Sequence, residues 1–408
     1  MTVETLSSLE IASGAVIGVL PRRADTAGMC PIGREGGGSP DCDAERPRDV
    51  RAALEEAILP ALLQAPCLVS FSGGRDSSAV LAVAVQLARR EGLAAPIPVT
   101  NVFPAAPETC ESSWQQRLIS HLGLSEWVRI EHANELDLVG PYAQRVLGEQ
   151  GLVWPPNVHF HLPLIDASKG GSLLTGIGGD ELFLAARTKE APGRRALVLL
   201  HPRELARTAL ASAPASLRRL VVRRRRRIEA AWLRARARRE ISEILAHQAA
   251  AQPASLSERM AWWRRMRYLH VGIAALERTA ERPGVMLLHP LLCAGVWSAV
   301  ADSAAPSGFA GRTEAMHRLF GDLLPPPLLT RSSKARFDAA FWTARAAAFA
   351  HDWDGRGAPE EWVDGAKLER HWQDERPSAQ SFTLLQSLWL QSVHEASGEA
   401  WCPPRARR

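Results

Sequence analysis

The stretch "CLVSFSGGRDSSAVLAVAVQLARR", residues 67–90, constrains the fold more than any other part of the chain. A short apolar run suited to a buried strand leads into two glycines, an aspartate and serines. After these comes an alanine- and valine-rich run that is apolar on nearly every face. A helix of that kind must be covered on all sides, which a sheet with helices on its faces provides. The same alternation continues downstream. "PIPVTNVF" reads as a second strand, and "ETCESSWQQRLISHLG" as a helix with Trp114, Leu118 and Leu122 at helical spacing and Gly123 as its stop. "EWVRIEH" supplies a third strand and "SLLTG" a further apolar run. The expected fold class is α/β, with a parallel, Rossmann-like sheet whose ligand crevice lies at the carboxyl ends of the strands.

Ser72-Gly73-Gly74-Arg75-Asp76-Ser77 falls at such a strand end. The glycines let backbone come close to an oxyanion, and the first-turn amides of the following helix point at it with the helix dipole behind them. Serine hydroxyls donate to phosphate oxygens. Asp76 repels phosphate directly, so a carboxylate here makes sense with Mg²⁺ between the two. The plainer alternative is a Gly-Gly turn with Asp76 or Ser77 capping the helix. A second loop, Thr175-Gly176-Ile177-Gly178-Gly179-Asp180-Glu181, repeats the logic about a hundred residues later, which makes Asp180 the candidate second ligand. The other phosphate loop, G-x-x-x-x-G-K-[ST], is absent, and neither glycine loop completes G-x-G-x-x-G.

Composition sets the frame. A chain of 408 residues suggests two domains or one with an appendage. Residues 1–47 read as a short N-terminal segment and linker, with "GREGGGSPDCDAERP" the flexible part. Residues 48–190 read as the α/β core. Strand signals fade after that, so 191–408 read as a mostly helical region. Six scattered cysteines without a C-x-x-C pair argue against a zinc site and a disulfide framework, and point to a cytoplasmic setting. No run reaches the ~20 apolar residues of a membrane span. The net charge of +5 is carried almost wholly by arginine; only Lys169, Lys189, Lys334 and Lys367 are lysines.

The pair "SGGRDSS" and "LLTGIGGDELF" resembles the synthetase domain of the asparagine synthetase family, whose relatives include β-lactam synthetases and lasso-peptide cyclases. "HPLLCAGVWSAVA" (289–301) and "GDLLPPPLLTRSSKARFDAAF" (321–341) extend the likeness over roughly 48–345. The resemblance implies an adenine nucleotide alpha-hydrolase-like fold and an AMP-forming carbon–nitrogen ligase. Such an enzyme adenylates a carboxylate with ATP, releases pyrophosphate and passes the acyl group to an amine. It also implies that Ser72, Gly73, Gly74, Asp76, Ser77 and Ser78 cradle pyrophosphate, and that Asp76 and Asp180 hold Mg²⁺. Thr175 and Gly176 would line AMP, and Asn101 or Val102 would meet adenine. Lys334, helped by Arg331, would stabilise charge on the α-phosphate and on the tetrahedral intermediate.

Departures from the family are informative. Residue 2 is Thr2, where many members have the cysteine of a glutaminase domain, so glutamine hydrolysis is not expected. Ile177 stands where asparagine synthetases have a glutamate and β-lactam synthetases a tyrosine, which removes both known base arrangements. A small-molecule or peptide carboxylate and an amine donor are the expected partners, with a separate amidase or a precursor peptide as further candidates. The alternatives are an ammonia-dependent asparagine synthetase and a nucleotide-dependent RNA-modifying enzyme that uses the same loop. The run "VVRRRRRIEAAWLRARARRE" (221–240) would suit RNA, but an arginine-rich solvated helix face explains it better. His159 and His161 read as pocket or core residues rather than a metal pair, because no third ligand is evident. Trp262, Trp263 and Trp297 read as helix-packing residues, and "LEIASGAVIGVLP" as a strand pair.

Overall fold

The computed structural model describes residues 5–21, 49–187, 216, 219–220, 228, 230–281, 283–304, 308–331, 335 and 337–397. Its sheet is built from β1 (Cys67–Ser70), β2 (Ile97–Val102), β3 (Val128–Glu131), β4 (Ser172–Leu174) and β5 (Met286–Leu288). All neighbours run parallel, in the order β3-β2-β1-β4-β5. Leu68 stands opposite Ile97 on one side and Leu173 on the other, and Leu173 opposite Leu287. The inner strands are apolar and buried. The edge strand β3 carries Arg129 and Glu131 and is largely exposed, a charged edge that discourages pairing with another chain.

Among the described residues before 190 there are seven α-helices: α1 (Ser8–Ser13), α2 (Val50–Leu63), α3 (Arg75–Glu91), α4 (Ser112–His121), α5 (Pro141–Gln150), α6 (Leu162–Ala167) and α7 (Gly179–Ala185). α3 is buried along most of its length, as its composition requires, and ends at Gly92 in a left-handed conformation. Val80, Leu81, Val83, Val85 and Leu87 are each at most 2 % exposed. Each contributes about 1.5–3 kcal/mol through burial. α2 covers α3 and also packs on the helix Ala294–Ala304, whose Trp297 is fully enclosed and donates to the carbonyl of Leu291 at 2.7 Å. Trp297 and Trp262 are thus core residues, as expected.

Among the described residues the region after 190 is mostly helical, as expected, and within it Met286–Leu288 completes the sheet beside β4. One expectation fails here. The segment "LEIASGAVIGVLP" is not a strand pair. Its first half is α1, where Ser7 accepts from the Glu10 amide while the Glu10 carboxylate accepts from the Ser7 amide, a reciprocal cap that starts a helix. α1 is stitched to distant parts of the chain by three indoles: Trp154 donates to Gly14, Trp232 to Ala12 and Trp362 to the Ser8 hydroxyl. Glu10 pairs with Arg267. α1 lies in a second core with Trp232, Trp372 and the helix Phe382–Ser397. The linker 22–48 and the arginine run 221–227 lie outside the described residues.

Candidate active site

The chain leaves β1 toward β2 on one side of the sheet, while β5 lies beside β4 on the other. Strand order therefore reverses between β1 and β4, and the loops leaving their carboxyl ends diverge around a crevice. Those two loops are the glycine-rich segments singled out in the sequence. α3 opens on Gly74 and α7 on Gly178, and neither capping residue makes a side-chain bond to its helix. Asp76 and Ser77 are thus not caps, which sets aside the plainer reading of the first loop.

The loops touch. A methyl group at Gly176 would lie 2.7 Å from the amide nitrogen of Ser77, and one at Gly179 would lie 2.3 Å from Cγ of Asp76. Only glycine permits this approach. The result is that Asp76 and Asp180 reach the same guanidinium: Arg312 donates through one nitrogen to each. Burial pushes the Asp76 carboxyl above the ordinary aspartate range, with Arg312 opposing. Burial also works against the Arg312 charge, and the two carboxylates override it. Asp76 Oδ1 remains buried without a partner among the described residues.

Two cavities meet at this point. One, of about 430 Å³, lies over the ends of β1 and β2, and Asn101, Val102 and Arg129 are in its wall. The other, of about 350 Å³, holds Gly74, Asp76, Ser77, Thr175, Gly176 and Asp180, with Arg312 and Arg331 across from them. Ser70, Ser72, Glu111, Phe160 and Phe337 line both, so the two are compartments of one groove. Ser72 and Ser77 face one another, their hydroxyls 3.1 Å apart. Ser78 is fully buried and lines neither compartment.

Individual residues are more constrained than the sequence suggested. Asn101 donates to the Phe160 carbonyl at 2.8 Å and accepts from the ring of His132 at 2.9 Å, so its amide is committed within the wall. Arg331 is nearly enclosed. It pairs with Glu111, donates to the Gly73 carbonyl at 2.9 Å and stacks on Trp114. Its fork thereby holds the first loop in shape. Lys334 lies outside the described residues, although Arg331 and Ala335 on either side of that stretch both line the smaller compartment.

Ile177 lies in that wall as well, packed against two hydrophobic clusters. Near it, His161 lines the compartment, its Nδ1 buried and without a partner among the described residues. His289 is buried, Nδ1 2.6 Å from the Thr175 hydroxyl and Nε2 without a partner among the described residues. Burial holds His161 down at about 4 and His289 at about 3, each lowered further by a neighbouring histidine. His159 is a core residue bonded to the Leu136 carbonyl at 3.0 Å. Groups of three or more metal-ligating side chains are absent among the described residues.

The sequence reading missed Arg312 and Glu111. Arg312 carries no motif and is one arginine among dozens. Glu111, three residues before Trp114, offered only a charge at the start of α4. The family model for asparagine synthase matches residues 49–401. No curated protein matches the chain.

Proposed function

Since the chain belongs to the asparagine synthase family, whose members are ATP-dependent amide-forming ligases, we propose that it adenylates a carboxylate and transfers the acyl group to an amine. The observation that carries this reading is the convergence of Asp76 and Asp180, from loops on either side of the strand reversal, on one cation in a two-compartment groove. The larger compartment has the size and position for the nucleoside, at the ends of β1 and β2. The smaller one takes the phosphates and the acyl group.

The residues fit Mg²⁺. Two carboxylates already share one positive charge, and Asp76 Oδ1 has no partner among the described residues. Asp76 and Asp180 would hold the ion, which when bound supplies neutralising charge to the phosphate oxygens. The chain does the rest. The uncapped first turn of α3 and the Ser72 and Ser77 hydroxyls face the departing pyrophosphate. Arg331 keeps the Gly73–Gly74 turn in place. Lys334, flanked by two wall residues, is the candidate for stabilising charge at the α-phosphate and on the tetrahedral intermediate. The amine is ammonia, an amino acid or a peptide amine, supplied from outside residues 49–401, with an amidase or a precursor peptide as the candidate partner.

The test is the pair of nucleotide products. Incubation with ATP, Mg²⁺, pooled amino acids and hydroxylamine should yield AMP and pyrophosphate along with a hydroxamate; ADP and phosphate would exclude the proposal. Asp76→Asn should abolish carboxylate-dependent pyrophosphate exchange while the protein melts cooperatively as before.

A further inference from the structure

The smaller compartment has two kinds of wall. One is polar: Gly74 and Ser77 at the start of α3, together with the Ser72 hydroxyl, which the adenylation reading gives to the phosphates. The other is apolar, formed by Ile177, Ala335, Phe160 and Phe337, each of which keeps part of its surface accessible. Ile177 and Ala335 line this compartment and not the nucleoside one, so their surface is left for the acyl group. Phe160 and Phe337 stand edge to face at 5.7 Å, and Phe160 is braced by Phe103 and Phe341. Ile177 is packed against two hydrophobic clusters. The apolar wall is thus held in place, and a polar side group set against it would lose its water without gaining a partner.

Charge points the same way. The described cations of the compartment are Arg75, Arg312 and Arg331, and its carboxylates are Asp76, Asp180 and Glu111, an equal number. Arg312 pairs with Asp76 and Asp180, and Arg331 with Glu111. Arg75 donates to the Thr313 hydroxyl and the Leu329 carbonyl. His161, held down at about 4 by burial, adds no charge at neutral pH. A magnesium-bound triphosphate is a net anion, and Lys334 is assigned above to the α-phosphate. Whichever partners exchange when the nucleotide binds, the charges leave no positive surplus for a second carboxylate on the substrate. That balance accepts an α-ammonium.

We infer that the compartment selects a carboxylate whose side group is apolar and uncharged, of the size of a leucine or phenylalanine side chain, and rejects acidic side groups such as those of aspartate and glutamate. This deepens the adenylation reading above and rests on it. A cavity of about 350 Å³, shared with the phosphates, sets the size limit. Ile177 is then a specificity-determining residue: its side chain offers contact to carbon and no bond to oxygen or nitrogen.

The test is pyrophosphate exchange with ATP, Mg²⁺ and one acid at a time. Leucine or phenylalanine should exceed aspartate and glutamate in kcat/KM by about 10²-fold or more. Ile177→Ala deepens the pocket and should move the leucine-to-phenylalanine ratio toward phenylalanine by about tenfold, the least that one filled methylene contributes. A merely structural role for Ile177 would lower both acids alike. Aspartate or glutamate exchanging as well as the apolar acids would overturn the inference and leave adenylation standing, and so would an unchanged ratio in Ile177→Ala. Binding is read separately. With ¹³C-methyl isoleucine, Mg²⁺ and a non-hydrolysable ATP analogue, 3-phenylpropionate should shift the methyl signal that Ile177→Val removes, through the ring current of its phenyl group. An unmoved signal would overturn the inference. A shifted signal without exchange from any acid would refute adenylation and keep the apolar pocket.

Discussion

Gly179→Ala tests the site with a single methyl group. The new carbon would lie 2.3 Å from Asp76 Cγ and 2.5 and 2.7 Å from its oxygens. Carbon atoms settle at about 3.5–4.0 Å, so the carboxylate must retreat by more than ~1 Å. Asp76 sits in the first turn of α3, enclosed and tied to Arg312, and has nowhere close to go. Gly179 does not need a left-handed backbone, and alanine at a helix start gains at most ~1 kcal/mol over glycine. Stability and function should therefore separate. The melting temperature should stay near that of the parent protein. Displacing a positioned group by 1 Å costs on the order of 10²-fold. Calorimetry should thus show Mg²⁺–ATP binding weakened by about 2.7 kcal/mol. Binding within threefold of the parent would mean that Asp76 does not hold the ion. Collapse of the fold would mean that the contact is structural.

Two further perturbations probe charge. Arg312→Met leaves Asp76 buried without its cation and should cost about 2–3 kcal/mol in urea unfolding with chelator present, less than a fully buried pair because Asp180 is half exposed. Millimolar Mg²⁺ should recover most of that loss, and a deficit that ignores Mg²⁺ would count against a shared metal position. Glu277 is pushed up to about 7, by burial first and by Glu281 second. A carboxyl raised in the folded state binds protons more tightly there than in the unfolded chain. Its contribution is complete below about pH 4.5 and is lost as pH rises through about 7. With partial exposure discounted, the loss is about 1–2 kcal/mol. Glu277→Gln should flatten that part of the stability–pH curve, and an unchanged slope would show that another group is responsible.

The parts legible in the sequence were those where a local pattern and the tertiary demand agree. The apolar run of β1, the all-round apolar α3 and the twin glycine loops each announce their conformation within a few residues, and the second loop's likeness to the first brought Asp180 beside Asp76. Strand order was not legible, because nothing in β1 or β4 encodes which neighbour it takes. β5 was hidden for a related reason. Met286–Leu288 is a three-residue strand between Gly284 and Pro290, too short to show a period, and only its pairing with β4 makes it a strand. Arg312 illustrates the limit for chemistry: it joins the site across 132 and 236 residues, a separation no spacing rule reaches. Asn101 lies on a compartment wall, and its amide is held by His132 and Phe160, partners that only folding brings together. The signal for α1 was present as Ser7 and Glu10, three apart, and was outweighed by the apolar run around it.

The indoles that seat α1 come from positions 154, 232 and 362. Trp362 follows its partner Ser8 by 354 positions, so α1 leaves the ribosome long before the last indole that seats it. Until that indole emerges, the helix must wait with its apolar side uncovered. Whatever shelters it meanwhile will govern how much of the newly made protein reaches its mature form.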